Sequence, residues 1–431
     1  MASTRSQPLL FQPLKIANGT IELKHRVILA PLTRNRGVPV FEDTPEKPNR
    51  DWYPDELVTE YYQQRATEGG LLISEGLPPS LQGGGMPGTT GLYLPEHIVG
   101  WKKVVEAVHA KGGYIYAQLW HSGRTTIAPT TGLPSVAPSA VKWDDPNEEY
   151  PYPPPGHDKR AKYRDHPPVE LTVSDIKRVI GEYCEAARRA VEECGFDGVE
   201  VHGGNGYLPE QFLSSNVNMR NDDYGGSPEK RCRFVVELME ELAKTAGQEK
   251  VALRLSPFGL FNQARGSQRM GTWSHLCKEL KTKIPHMSYV SFIEPRYEQV
   301  FSTAEKDSFL GSWGLETVDL SHFRKVFGDT PFFSAGGWYD GNFSGVLESG
   351  RYDALLFGRW FISNPDLVRR LREGLPLRMY ERDRFYGPFP DRERGYTDYT
   401  AWDVEKEHSA TVDGIKGDVA TTSTVEVKAS A

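Results

Sequence analysis

Eight short apolar runs punctuate the chain. They lie at 26–32 (RVILAPL), 71–76 (LLISEG), 114–119 (YIYAQL), 198–203 (GVEVHG), 251–257 (VALRLSP), 289–294 (YVSFIE), 331–337 (PFFSAGG) and 354–361 (ALLFGRWF). Each is rich in Val, Ile, Leu and aromatic residues and runs into Gly, Pro or polar residues, the composition of parallel strands covered on both faces. Between them the apolar positions take helical spacing. In 175–194, Ile176, Val179, Ile180, Tyr183, Ala187, Ala190, Val191 and Cys194 fall on one face. Ser174 is the expected N-cap of that helix and Gly195 its stop. Further helices are predicted at 99–110, 228–246, 272–283, 341–348 and 365–373. Strands alternating with helices in this number predict a (β/α)8 barrel. An open doubly wound sheet is the alternative, and the lack of GxGxxG after the first strand weighs against it.

Two stretches exceed a minimal barrel. About fifty residues separate the third strand from the next helix, and they include PTTGLPSVAPSA and DDPNEEYPYPPPGHDKR. Prolines at that density resist helix and sheet. The stretch leaves from a strand's C-terminal end, so 125–170 is expected to form a lid on that face, with a disordered insertion as the alternative. Residues 38–53 form a smaller excursion on the same face. Residues 1–402 are expected to make one domain, and 403–431 a polar, disordered tail.

Composition narrows the classes. The net charge of −7 gives no footing for a nucleic-acid or anionic-membrane partner. Cys184, Cys194, Cys232 and Cys277 are scattered without a CxxC pair, so neither a zinc site nor a disulfide framework is expected, and no metal. The start MASTRSQPLLFQPLKI has no signal-like apolar run, and no stretch approaches a membrane span. A cytoplasmic monomer or homodimer is expected.

In such a barrel, chemistry gathers at the C-terminal strand ends. The first end carries Pro31, Leu32 and Thr33, the second Glu75 and Gly76, and the third Gln118 and Trp120. The fourth carries His202, Asn205 and Tyr207; Arg254 lies within the fifth. The seventh ends in Gly336 and Gly337, and the eighth carries Gly358 and Arg359. Singly, each has a plain explanation. His202 is explained as a hydrogen-bonded structural histidine, Tyr207 as packing, Gln118 as a partner for backbone groups, and Gly336-Gly337 as a tight turn. Arg254 is explained as a core arginine paired with Glu75 or Glu200. Together on one rim they point to a site. The last two ends fit a phosphate: glycines permit close backbone approach, the helix expected near Gly341 directs amides inward, and Arg359 offers a charge-assisted fork. A phosphorylated cofactor or substrate is therefore expected.

The segments APLTRNR, AQLWHSGR, VEVHGGNGYLPEQFL, DDYGGSPEKR, LRLSP, SAGGW and FGRWFISNPDLV together resemble the old yellow enzyme family of flavin-dependent ene-reductases, in a fungal-like form. The resemblance runs from about Leu10 to Trp402. It implies a (β/α)8 barrel holding FMN noncovalently, reduced by NADPH or NADH, and reducing the C=C bond of a small α,β-unsaturated carbonyl compound. By resemblance, His202 and Asn205 hold the substrate carbonyl oxygen, where preorganised donors stabilise growing negative charge, and Tyr207 supplies the proton. Pro31, Thr33, Gly76, Gln118 and Arg254 would contact the flavin ring, and Gly336, Gly337, Gly358 and Arg359 its phosphate. Trp120, Phe385 and Tyr386 would line the substrate pocket. Thr33 stands where a shorter bacterial-type subgroup carries Cys. The loop 143–168 is longer than in compact members, and Gly337 replaces a polar residue of several relatives.

Two other functions were open at this level. One keeps fold and cofactor but makes the chain a pathway-specific reductase or isomerase acting on one elaborate substrate. The other is a non-redox phosphate-binding barrel, an aldolase or isomerase, disfavoured because no strand end offers a lysine. The nicotinamide preference is open too: Arg34, Arg36 and Arg124 fall near the working face without an assignable contact.

Overall fold

Eight parallel strands close on themselves: β1 Val27–Leu29, β2 Leu71–Leu77, β3 Tyr114–Leu119, β4 Gly198–Gly203, β5 Val251–Leu255, β6 Tyr289–Ile293, β7 Phe332–Ala335 and β8 Ala354–Phe357. The computed structural model describes residues 8–44, 46–294 and 319–404. Closure runs through β8, where Leu355 pairs with Val27, and through β1, where Leu29 pairs with Leu72. The β2–β3 register shifts between Ile73 and Gly76, a bulge of the kind that re-aims side chains beside active sites. Ser74 Oγ fills that gap by accepting the Gln118 N–H at 2.9 Å.

Helices α1 Glu56–Arg65, α2 Pro95–His109, α3 Val173–Arg188, α4 Pro228–Ala246, α5 Arg269–Lys283, α6 Ser321–Phe327 and α7 Leu367–Glu373 surround the strands. Helix α3 continues through a π-turn, Arg189–Cys194, and stops at Gly195, which is left-handed at φ 85°. Its N-cap is Thr172, not Ser174. The Thr172 hydroxyl oxygen accepts the Asp175 N–H at 3.1 Å, and Asp175 reciprocates to the Thr172 N–H at 3.1 Å, so the capping box selects the earlier residue. The helix expected at 341–348 is a series of turns: Gly341, Asn342, Ser344 and Gly345 are weak helix formers, and Gly345 sits at φ 74°. The eighth strand ends at Phe357, and Arg359–Ser363 forms a short helix instead.

Two cores result. Outside the strands, Trp101 of α2 meets Tyr62 of α1 and Phe196, with ring centroids 5.7 Å away in each case. Inside, Ile28, Ile73, Tyr116, Tyr289, Phe333 and Leu356 fill the barrel, joined by Ile16, Ile21 and Leu23 of an N-terminal hairpin.

The excursion after β3 takes a definite course. Val136–Ala137 pairs with Val169–Glu170, and Glu149 bridges Lys162. Ile127, Trp143, Tyr150 and Tyr163 form their own apolar cluster. Trp143 stacks on Tyr163 at 4.2 Å, and the Arg124 guanidinium lies 4.8 Å from a Trp143 ring centre. The smaller excursion folds back where Val38–Pro39 pairs with Trp52–Tyr53. Of the expected tail, residues 405–431 lie outside the described residues.

Trp143→Ala removes one aromatic stack and one cation–π contact. Together these are worth about 2 kcal/mol, so amide exchange across 141–165 is expected to accelerate about 30-fold. Exchange mass spectrometry that finds these amides unchanged in the variant overturns the assigned packing.

Candidate active site

The strand ends open into a cavity of about 690 Å³, within the range of cofactor and small-molecule sites. Pro31, Leu32 and Thr33 form part of its wall beyond β1. Asn205 and Tyr207 follow β4, Arg254 and Ser256 come from the end of β5, and Glu294 follows β6. Gly336, Gly337 and Trp338 enter beyond β7, Gly358 and Arg359 beyond β8, and Phe385 and Tyr386 from the C-terminal segment. The excursion after β3 contributes Pro151, Tyr152 and Tyr163.

Four more of the expected site residues pack beside these, Gly76, Gln118, Trp120 and His202. Gln118 lies beside Gly76 in the β2–β3 register and beside Glu200 on β4. Gly76 leaves room for Trp120: a Cβ on Gly76 would sit 3.1 Å from the Trp120 Cβ. Trp120 turns the edge of its ring toward Tyr207, centroids 5.2 Å apart. His202 also packs on Tyr207, at 5.1 Å and 71°.

His202 has a defined protonation. Its Nδ1 accepts the Gly204 N–H at 3.3 Å, which leaves the ring proton on Nε2. Burial, and then the neighbouring Arg254 charge, hold its pKa down to about 3, so the ring is neutral at any ordinary pH. Asn205 Nδ2 lies 3.5 Å from His202 Nε2. Two N–H donors thus stand side by side, an arrangement suited to one oxygen between them. Tyr207 lines the cavity, half-buried. Burial pushes its phenol pKa up, with Tyr386 and Tyr152 adding to the rise.

Arg254 sits opposite His202 in the β4–β5 register. Burial lowers its pKa, and the Glu200 charge opposes that shift. Of the two carboxylates open at sequence level, Glu200 is the one facing it. Glu200 Oε1 accepts from Gln118 Nε2 at 2.7 Å, and burial raises its pKa. Glu75 serves a different group. It accepts the Arg34 N–H at 3.4 Å and the Thr90 hydroxyl at 3.2 Å, and burial lifts its carboxyl to about 7.

The residues present fit FMN. Arg254 Nη1 is buried and has no hydrogen-bond partner among the described residues, although it lines the cavity. That is an orphaned cationic donor aimed where a flavin edge would offer oxygen and nitrogen acceptors. Gly336 and Gly337 are at φ 133° and 95°, and a Cβ on Gly336 would meet Glu294 Cβ at 2.8 Å. Glycine there opens the backbone to a phosphate. Arg359, without a carboxylate partner among the described residues, stands beside it. The turns at 341–348 supply no helix end beside these residues.

Arg34, which lines the cavity, Arg36 and Arg124 bind surrounding loops. Arg34 donates to the carbonyls of Phe385, Arg384 and Gly395, and Arg36 to those of Arg392 and Arg384. Arg124 binds Gln263 Oε1 at 3.1 Å and the Val141 carbonyl at 3.4 Å. Sequence reasoning missed Tyr152, Tyr163, Ser256, Asn262 and Glu294. The YPYPPPG run held a signal for Tyr152, an aromatic among prolines on the working face. Ser256, the residue after β5, was within the LRLSP segment but was not singled out.

The chain matches known proteins over nearly its whole length. Residues 9–378 fit the NADH:flavin oxidoreductase / NADH oxidase family. A flavin oxidoreductase of Emericella nidulans is 43% identical over 406 residues, spanning 90% of this chain and 97% of that protein. 12-Oxophytodienoate reductase 1 of Oryza sativa is 37% identical over 95% of this chain and 97% of its own. An old yellow enzyme homologue from Zymomonas mobilis superposes with a TM-score of 0.76 at 34% identity, covering 91% of this chain and 99% of that one. Morphinone reductase, solved with tetrahydroNAD, gives 0.76 at 35% identity over 91% and 98%. The chain belongs to the NADH:flavin oxidoreductase / NADH oxidase family and is an FMN flavoprotein of the old yellow enzyme type.

Proposed function

We propose that this chain is an ene-reductase, which reduces the activated C=C bond of α,β-unsaturated carbonyl compounds with NADPH or NADH and noncovalently held FMN. When bound, FMN supplies the redox chemistry, taking hydride from the reduced nicotinamide and giving hydride to the β-carbon of the alkene. The observation that carries this reading is the donor pair: His202 Nε2 and Asn205 Nδ2, 3.5 Å apart, beside a phenol 5.1 Å from the imidazole.

The protein's part follows from that geometry. His202 and Asn205 donate to the carbonyl oxygen and stabilise the negative charge that grows there during reduction. A neutral imidazole donates without surrendering its proton, so the oxygen is held as a charge and not trapped as an enol. Tyr207 keeps its proton because burial raises its pKa, and releases it to the strongly basic α-carbon. Arg254 and Gln118 would hold the pyrimidine edge of the flavin, Thr33 and Pro31 its ring, and Arg359 with Gly336, Gly337 and Gly358 its phosphate. Gly76 and Trp120 back the wall near Tyr207. Phe385 and Tyr386, with Tyr152 from the excursion, would enclose the alkene.

One observation favours the narrower, pathway-specific reading as the second. The 125–170 excursion places Pro151, Tyr152 and Tyr163 on the cavity wall, so a loop beyond the minimal barrel shapes what enters. As a lid, it would restrict turnover to substrates matching those aromatics.

Purified protein is expected to be yellow with FMN, to bleach anaerobically with NADPH or NADH, and to recover its colour with cyclohexenone. Protein that binds no flavin sinks the reading. Colour that returns only with one complex substrate moves it to the pathway-specific form. Tyr207→Phe is expected to slow the reoxidation half-reaction by about 100- to 10,000-fold and to spare flavin reduction; stopped-flow traces showing equal loss in both halves remove Tyr207 as proton donor. His202 is expected to stay a neutral Nε2–H tautomer from pH 5 to 8, since its pKa lies at about 3. Nitrogen-15 NMR of labelled imidazoles reads this directly, and a titration of His202 inside that window contradicts it.

A further inference from the structure

The peptide that carries the donor pair is bent into an uncommon shape. Asn205 is left-handed at φ 56° and Gly206 follows at φ 70°. Asn enters that region more readily than other non-glycine residues, and here hydrogen bonds fix it there. Asn205 N–H donates to Ser256 Oγ at 2.8 Å, and the Ser256 hydroxyl donates onward to Glu210 Oε2 at 2.9 Å. Gly206 N–H donates to the same Glu210 Oε2 at 2.7 Å. From the other side, Asn262 Nδ2 donates to the Asn205 carbonyl at 2.8 Å. One carboxylate oxygen therefore restrains two successive amides, one directly and one through a hydroxyl.

That carboxylate is itself held. Glu210 and Arg269 are both about 1% exposed, and Arg269 Nη1 lies 3.4 Å from Glu210 Oε1. Burying such a pair carries a desolvation cost that an apolar pair of similar volume avoids. Glu210 stands in the short helix Leu208–Leu213, whose other residues are Leu, Pro, Gln, Phe and Leu. The carboxylate's contacts with the Asn205–Gly206 turn are the use that its burial serves.

We propose that Glu210 is a positioning residue: acting through Ser256 and the Gly206 amide, it locks Asn205 in the left-handed turn that brings the Asn205 amide beside His202 Nε2. The inference rests on the proposed role of Asn205 and His202 in holding the substrate carbonyl. Burial pushes the Glu210 carboxyl up to about 7, against which Arg269, the Gly206 amide and the Ser256 hydroxyl all act; these three donors favour the ionised carboxylate that the clamp uses. A purely structural Glu210–Arg269 pair would need neither the serine relay nor the bond to the Gly206 amide.

The test uses the FMN-loaded protein, with Ser256→Ala as the main variant because it breaks the relay and keeps the Glu210–Arg269 pair. Glu210→Gln is the second. Three readouts are taken: amide exchange at 203–207, KM and kcat for cyclohexenone, and a double-mutant cycle with Asn205→Ala. Faster exchange at Asn205 and Gly206 in Ser256→Ala is expected. With it, KM should rise about tenfold with a smaller change in kcat. In the Asn205→Ala background the serine change should add nothing, because coupled residues are non-additive. Unchanged loop exchange in both variants overturns the clamp. Additive effects with a matching loss of melting temperature also overturn it, showing Glu210 to be structural. Faster exchange together with an Asn205→Ala protein of unaltered enone KM is a different failure: the clamp exists, and the carbonyl role of Asn205, with Glu210's part in it, is wrong.

Discussion

Irregular chain exposes carbonyls that no strand or helix satisfies, and on the working face of this barrel buried arginines satisfy them. Arg34 and Arg36 bind carbonyls of the 384–395 segment. Arg65, fully buried, donates to Phe361, Ile362 and Tyr396 as well as to its own helix. Each guanidinium offers five donors in a rigid fork, so one side chain can bind carbonyls from several segments. Unpaired buried carbonyls would each cost about 1–3 kcal/mol. These bonds help fix the segment bearing Phe385 and Tyr386 beside the cavity.

The concentration of positive charge needs an answer, and the bulge in β2 helps supply it. Glu75 accepts the Arg34 amide and lies near both Arg34 and Arg36. Tyr61 and Tyr396, stacked at 4.2 Å, offer their ring faces to the Arg34 guanidinium, 5.5 and 5.2 Å away. Deeper in the barrel, Glu200 plays the matching part for Arg254 while orienting Gln118. Arg359, on the cavity wall, has no carboxylate partner among the described residues, and the Tyr380 ring lies 5.6 Å from its guanidinium. An uncompensated arginine beside two open glycine turns is what a phosphate-holding corner requires.

Legibility of the sequence varied with the range of the interactions. Strands buried on both faces write themselves as apolar runs, and β3 and β4 have the ends that the runs predict. Long amphipathic helices were equally plain, α4 included. What the pattern missed includes two helices, α1 and α6, the 341–348 turns, where helical spacing met weak helix formers, and the cap of α3, where Thr172 outcompeted Ser174 by having Asp175 three residues on. Strand-end residues were legible because topology alone assigns them to one rim. Glu210 was not, because its role depends on Ser256 from another strand end. Tyr152 was hidden for a similar reason, its hydroxyl donating to Asn35 Oδ1 at 3.4 Å, on the segment that follows β1.

The arginine stitching has a consequence for how the protein is made. Arg34 and the carbonyl of Gly395 are 361 residues apart in the chain, and β1 and β8 pair across a similar span. Contacts of such separation are slow to form, because the intervening chain loses its freedom before the contact rewards it. During synthesis, a ribosome must extrude nearly every strand before the first can find its last neighbour. The cofactor pocket is therefore a late product of translation, and the nascent barrel passes a long interval as open sheet, its apolar edges the natural clients of chaperones.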